Sequence, residues 1–223
     1  MFPYKDDNPS NTFPVVTITI IVLNIVVFIL QMLSSADGRQ IVYAYGAIPH
    51  NIVTMQATQP IHPTFTLFTS MFMHGGLFHI FGNMLYLWIF GNNIEDRLGH
   101  IRFILFYLFC GIAAAVSHAL ITPSSTVPMI GASGAISGVL GAYLLLFPYA
   151  RIHTVIFLGF FVQTIKVPAL IVIGFWAIIQ IVSGLTAQVI QNQGGIAWFA
   201  HVGGFIAGLF TIKLWQPRRS RTW

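Results

Sequence analysis

Six apolar stretches run along the chain, separated by segments that carry most of its charged residues. A helix needs about 20 predominantly apolar residues to cross the hydrocarbon core of a bilayer. The stretches are 13–33, 77–90, 101–121, 130–147, 167–187 and 196–215. The second and fourth are short and follow segments rich in Pro, Gly, Ser and Thr, so we expect their helices to begin below the membrane surface. The pattern predicts an all-α fold, a polytopic membrane bundle of six transmembrane helices.

Composition agrees with a membrane environment, because 56% of residues are hydrophobic and only 7% are charged. We divide the chain into a short N-terminal tail (1–12), a membrane domain (13–215) and a basic C-terminal tail (216–223). Within the membrane domain, the long first loop (34–76) is expected to be partly structured, since structureless loops of that length are unusual. The N-terminus is polar and acidic rather than basic, so the first apolar stretch is not predicted to be a cleaved signal peptide.

Basic residues predict the orientation of these helices, because Lys and Arg are enriched in cytoplasmic loops. A cytoplasmic N-terminus leaves only Arg39 on the outer side. The other basic residues are Lys5, Arg97, Arg102, Arg151, Lys166, Lys213, Arg218, Arg219 and Arg221. The C-terminal basic cluster is therefore interpreted as a topology signal, and no nucleic-acid partner is expected. In this topology the second, fourth and sixth stretches all begin on the non-cytoplasmic side.

Those three stretches carry polar side chains, which are costly in lipid and commonly functional. His79 and Asn83 lie four residues apart in the second stretch, on one helical face, and His74 precedes them at the membrane boundary. The fourth contains Ser133 and the sixth contains His201. Counted from the preceding loops, Ser133, His201 and His79 lie roughly 6 to 9 Å into their helices. The sequence therefore predicts one polar chamber.

Glycines surround these polar residues. Gly131 and Gly134 flank the serine, and Gly204 and Gly208 follow the histidine at a spacing that lets helices pack closely. We expect the fourth and sixth helices to pack against each other.

A serine beside a histidine in a site poor in water can act as a nucleophile, because the imidazole accepts its proton. Ser133 begins a helix, where free N–H groups and the helix dipole favour developing negative charge. His79 and Asn83 can donate to the same oxyanion. All acidic residues are predicted to lie outside the membrane core: Asp6, Asp7, Asp37, Glu95 and Asp96. A hydrolytic site would therefore be a dyad, with the imidazole of His201 held by packing.

Each of these signals also has a structural interpretation. Small residues pack membrane helices, and His and Asn form hydrogen bonds between them. Their coincidence in three helices at one depth favours function. The other histidines and the cysteine are interpreted as structural: His50, His62, His100, His118, His153 and Cys110.

Four motifs occur in order along these stretches: His74-x4-His79-x3-Asn83, Glu95-x-Arg97-x-Gly99, Gly131-x-Ser133-Gly134 and His201-x2-Gly204-x3-Gly208. Together they resemble the rhomboid family of intramembrane serine proteases. The resemblance implies that Ser133 is the nucleophile and His201 the general base. It also implies an oxyanion hole formed by the Ser133 N–H, His79 and Asn83.

The resemblance further implies that Gly131 permits close backbone approach and that His74 is structural or organises water. Two positions depart from the family pattern. Ser137 stands where an aromatic residue often packs beneath the histidine, and Phe65-Thr66 stands where a Trp-Arg pair is common.

The implied partners are single-pass transmembrane protein substrates, cleaved near the non-cytoplasmic face, and membrane lipids. No cofactor or metal is implied, the short chain favours a bacterial cytoplasmic membrane, and the oligomeric state is open. One alternative is an inactive rhomboid-like protein that binds or escorts membrane clients, against which Ser133 and His201 argue. Another is a metal or haem protein using His74, His79 and His201, which would leave the Gly-x-Ser-Gly sequence unexplained.

Overall fold

The computed structural model describes residues 2–34, 38–158, 161–189 and 197–217. Most of these residues are helical. The elements follow in the order β1 (Phe2–Asp6), α1 (Val15–Leu33), α2 (Arg39–Tyr45), α3 (Pro49–Thr54), α4 (Pro63–Thr69), α5 (Leu77–Tyr86), α6 (Asn92–Leu98), α7 (His100–Ile121), α8 (Ser133–Leu146), β2 (Arg151–Leu158), β3 (Phe161–Pro168), α9 (Ala169–Val189) and α10 (Trp198–Trp215).

Four of the described helices are long and apolar enough to cross a membrane: Val15–Leu33, His100–Ile121, Ala169–Ala187 and Trp198–Trp215. They coincide with the first, third, fifth and sixth predicted stretches. Large apolar side chains cover their outer surfaces, as at Phe210, which is 74% exposed, and Leu214, which is 83% exposed. Because such a surface would be insoluble in water, the chain is a membrane protein.

The two short predicted stretches form shorter helices. Helix α8 has 14 residues, about 21 Å at 1.5 Å per residue, and falls short of the hydrocarbon thickness of about 30 Å. Helix α5 continues through one π-helical turn (Leu87–Gly91) into α6. The loop between α1 and α5 is partly structured by α2, α3, α4 and a 3-10 turn at Ser70–Phe72.

Helix α8 lies at the centre of the bundle, between α7 and α10. A Cβ atom at Gly208 would collide with the carbonyl oxygen of Gly138, and one at Gly204 with the carbonyl oxygen of Gly134. Helices α8 and α10 therefore touch through their backbones, as the small-residue spacing predicts. On the other side, Gly138 faces Cys110 of α7, which is fully buried.

The prediction of an all-α fold is wrong at one end of the bundle. Strands β1, β2 and β3 form an antiparallel sheet in that order, with Ile152 opposite Val167. Both hairpin strands are rich in β-branched residues, which favour a pleated, half-buried surface. The predicted fifth stretch began at Val167, which belongs to β3, and the predicted N-terminal tail contributes β1.

The sheet end of the bundle also holds the described carboxylates. Asp6 accepts from the Tyr143 hydroxyl (2.7 Å), and Asp96 accepts from the Thr12 amide (2.7 Å). Glu95 is fully buried and accepts from the Val16 and Thr17 amides at the start of α1, as well as from the Thr17 hydroxyl. Asp37, Arg218, Arg219, Arg221 and Trp223 lie outside the described residues.

Asp7 joins two strands of the sheet at the protein surface. Its carboxylate accepts from Lys166 (2.9 Å) and pairs with His153 (2.5 Å). These two hydrogen bonds, that of Lys166 first, lower the pKa of Asp7 to about 2.

Candidate active site

Ser133 is the first residue of α8, at the end of the helix opposite the sheet. The residue two positions earlier, Gly131, has φ of 121°, a conformation that glycine adopts without strain. The amide of Gly131 donates to the carbonyl oxygen of Ser70 (2.9 Å), which holds the turn in place. The first amides of a helix have no partner within the helix. The Ser133 side chain therefore stands beside donors suited to a negative charge.

His201 lies one turn into α10 and faces that serine. Its Nε2 is 2.8 Å from the Ser133 hydroxyl oxygen. The contact follows from the glycine packing described above, because Gly204 lies three residues after His201 and seats α10 on the backbone next to Ser133. The structure brings together the predicted nucleophile and base at hydrogen-bond distance.

The other nitrogen of His201 also has a partner. Its Nδ1 is 2.7 Å from Oε1 of Gln180, on α9. The indole rings of Trp176 and Trp198 flank the imidazole, with ring centroids at 6.1 Å and 6.3 Å. The imidazole is therefore fixed by two hydrogen bonds as well as by packing.

His79 and Asn83, in the first turns of α5, lie beside the same turn. A Cβ atom at Gly131 would be 2.8 Å from the His79 ring and 3.6 Å from the Asn83 amide nitrogen. Nδ1 of His79 accepts from the Gly75 amide (3.2 Å), so its Nε2 carries the proton and can donate. The Asn83 amide nitrogen is buried without a protein partner among the described residues.

These groups line one cavity of about 1060 Å³. Its walls include Ser133, His201, His79 and Asn83, and they come from α5, α7, α8, α9, α10 and the segment before α8. None of the four described carboxylates lines it. The predicted polar chamber is present in the structure.

Sequence comparison agrees with this geometry. A sequence model of the rhomboid domain matches residues 62–217. The chain belongs to the rhomboid family. It is 30% identical over 207 residues to Rhomboid protease GluP of Bacillus subtilis, covering 93% of this chain and 35% of that protein. It is 33% identical over 154 residues to RHOMBOID-like protein 6, mitochondrial, of Arabidopsis thaliana, covering 68% of this chain and 44% of that protein.

A third relative of this rhomboid is Rhomboid protein 1, mitochondrial, of Saccharomyces cerevisiae, 31% identical over 161 residues, with coverage of 68% and 43%. The chain spans between a third and a half of the length of these curated relatives. The family includes serine intramembrane proteases, and relatives come from bacteria and from mitochondria.

His74 lies behind the cavity rather than in its wall. The residue is buried, its ring contacts that of His79 (centroids 5.0 Å apart), and its backbone amide and carbonyl bond to the Gln31 side chain at 3.0 and 3.2 Å. The structure thus places His74 where it supports His79. Among the described residues, no group of three or more His, Cys, Asp or Glu side chains is placed to hold a metal ion.

The structure adds to the sequence interpretation at three residues of the site. Ser137 donates to the carbonyl oxygen of Ser133 (2.6 Å) and is fully buried. His118, interpreted from the sequence as structural, lines the cavity. Gln180 was missed, although the rule that polar residues in apolar stretches are functional applies to it as well.

Proposed function

We propose that this rhomboid is a serine endopeptidase that cleaves single-pass membrane proteins within the membrane. One observation carries the proposal: the Ser133 hydroxyl lies 2.8 Å from Nε2 of His201 in a cavity bounded by transmembrane helices. A neutral imidazole at that distance can take the hydroxyl proton as the oxygen attacks a peptide carbonyl.

The reaction follows from the positions of these groups. Attack by Ser133 on the scissile carbonyl gives a tetrahedral oxyanion, while the proton moves to His201 Nε2. The Ser133 amide, His79 and Asn83 donate hydrogen bonds to that oxyanion. His201 then protonates the leaving amine, and the C–N bond breaks. Water, deprotonated by His201, hydrolyses the acyl-serine and regenerates the hydroxyl.

The arrangement in the membrane follows from the basic residues. We propose six spans within residues 13–215, with α5–α6 and α8 as the second and fourth, and both termini in the cytoplasm. The cavity then opens toward the non-cytoplasmic side. Substrates would be transmembrane segments that unwind there, because a stable helix hides its peptide bonds. A bacterial cytoplasmic membrane remains our proposal for the location.

A fluorophosphonate probe tests the proposal directly, because it labels an activated serine. We expect purified wild-type protein to be labelled and to cleave a single-pass test substrate in liposomes. Ser133→Ala and His201→Ala should lose both. Ser10→Ala, at an exposed serine before α1 that does not line the cavity, is the serine control and should behave as wild type.

Two outcomes would contradict the proposal. Labelling that persists in Ser133→Ala would place the reactive group elsewhere. A well-folded wild-type protein that is neither labelled nor active, but still captures the test substrate, would favour the alternative of an inactive protein that binds membrane clients.

A further inference from the structure

The amide of Gln180 lies on the far side of the His201 ring from Ser133. Its Oε1 is 2.7 Å from His201 Nδ1, and only 6% of the residue is exposed. A side chain of this polarity is rarely buried in a membrane helix without a specific partner. We therefore ask what the contact between Gln180 and His201 does for the imidazole.

The orientation of this amide follows from its second hydrogen bond. Nε2 of Gln180 donates to the carbonyl oxygen of Trp176, one turn earlier in α9, at 3.4 Å. The amide nitrogen is thus turned toward its own helix, and the oxygen faces the imidazole. Because Oε1 can only accept, Nδ1 of His201 must carry the proton.

That protonation state is the one a general base needs. A neutral imidazole carries one proton, on either Nδ1 or Nε2, and the hydrogen bond at one nitrogen decides the state of the other. With the proton on Nδ1, Nε2 presents a lone pair to the Ser133 hydroxyl. With the proton on Nε2, the ring would donate to that oxygen and could not accept its proton.

We propose that Gln180 is a positioning residue that fixes His201 in this tautomer, so that the site operates as Ser133–His201–Gln180. The inference rests on the proposed function as a serine protease. Gln180 touches no reacting atom, and it acts only through the imidazole.

An amide suits this site better than the carboxylate of a soluble serine protease. The titratable groups that face the cavity with His201 are His79 and Tyr86 from α5 and His118 from α7, and none of them is a carboxylate. A carboxylate at position 180 would be a buried charge in a membrane helix, whose desolvation is costly. A glutamine orients the ring without that cost.

Kinetics of position-180 variants in liposomes provide the first test. Gln180→Leu should lower kcat by about 10- to 100-fold, as loss of an orienting partner commonly does, while KM changes less than about twofold. Gln180→Glu should keep an acceptor at Nδ1 and move the acid limb of the pH–kcat profile up by about one unit, because a carboxylate stabilises the imidazolium. Thr186→Val, a lipid-exposed polar position on α9, is the matched control.

The tautomer itself provides a second test that needs no activity. In NMR spectra of Ser133→Ala protein with ¹⁵N-labelled histidine, His201 should be protonated at Nδ1 and unprotonated at Nε2. Adding Gln180→Leu should shift the signal toward the tautomer with the proton on Nε2. His201→Ala assigns the resonance by its disappearance.

The outcomes separate the two proposals. If wild type cleaves, Ser133→Ala does not, and Gln180→Leu keeps kcat within about twofold of wild type, then Gln180 has no positioning role although the protease proposal stands. An Nε2-protonated His201 in the labelled protein would overturn the inference in the same way. An inactive wild type with His201 protonated at Nδ1 would overturn the proposed function and leave the orienting contact in place.

Discussion

The two ends of α8 are polar in different ways. At the sheet end, Asp6 binds the hydroxyl of Tyr143, and the other described carboxylates lie nearby, each with hydrogen-bond partners. At the cavity end, Ser133, His201 and Gln180 form a chain of uncharged groups. Carboxylates anchor the segments at one end, and hydrogen bonds between uncharged groups orient the proposed nucleophile and base at the other. Stability and catalysis should therefore be separable by mutation.

Among the variants considered, Glu95→Ala should have the largest effect, and that effect should be a loss of stability. The fully buried Glu95 carboxylate accepts from two amides and a hydroxyl of α1, and also contacts His100 at 2.6 Å. Removing it leaves buried donors unpaired, and we expect a loss of about 3 kcal/mol in the free energy of unfolding. Thermal unfolding in detergent measures this loss.

Glu95→Gln, which keeps one acceptor oxygen, should lose less stability than the alanine variant. An alanine variant as stable as wild type would show that the carboxylate does not anchor α1.

Asn83→Ala should lower activity and leave stability almost unchanged, the reverse of the effect expected for Glu95→Ala. The unpartnered amide nitrogen of Asn83 faces the cavity, and loss of one oxyanion donor lowers kcat by about 100-fold. The unfolding temperature should change little, because no protein hydrogen bond to that nitrogen is broken. Initial rates at saturating substrate measure the effect.

Asn24→Ala serves as a matched control, because Asn24 is a fully buried asparagine of α1 outside the cavity wall. A comparable loss of kcat in that variant would assign the effect to helix packing instead.

Asp7→Asn should have the smallest effect, limited to the sheet and to one range of pH. The pKa of Asp7 is lowered from 3.8 to about 2 by Lys166 and His153. A lowered folded-state pKa contributes stability that is fully present above the ordinary value and is lost as pH falls toward the folded value. Wild type should therefore have a slightly higher Tm than Asp7→Asn near neutral pH, and this difference should vanish as the pH falls to about 2.

Because Asp7 is exposed, solvent screening keeps this contribution small. Lys166→Met should reproduce the same pH dependence, and the double variant should add little. A difference in Tm that grows as pH falls would contradict the assignment.

The helices were predictable from the sequence because a membrane span has a length set by the bilayer. The ends of α1, α7 and α10 lie within a few residues of their predicted positions. The sheet was not predictable in this way. Residues of β3 such as Val167 are as apolar as the helix that follows, so the apolar stretch gave no boundary between strand and helix.

The candidate site was predictable for those residues whose distance from the start of their helix could be counted along the sequence. Ser133 and His201 each come a few residues after the loop that precedes their helix, so the distances of the two residues from their helix starts could be compared. Gln180 lies eleven residues after the start of α9 at Ala169, about 17 Å along that helix. Its nearness to His201 depends on how α9 is placed beside α10, which no count along one helix provides.

The cavity has a consequence for the supply of a second reactant. Peptide hydrolysis consumes one water molecule each turnover, and the hydrocarbon around these helices supplies almost none. At about 30 Å³ per molecule, the 1060 Å³ beside Ser133 has room for roughly thirty waters. Under the proposed reaction, a substrate segment that occupies this cavity must leave space for at least one water molecule beside Ser133.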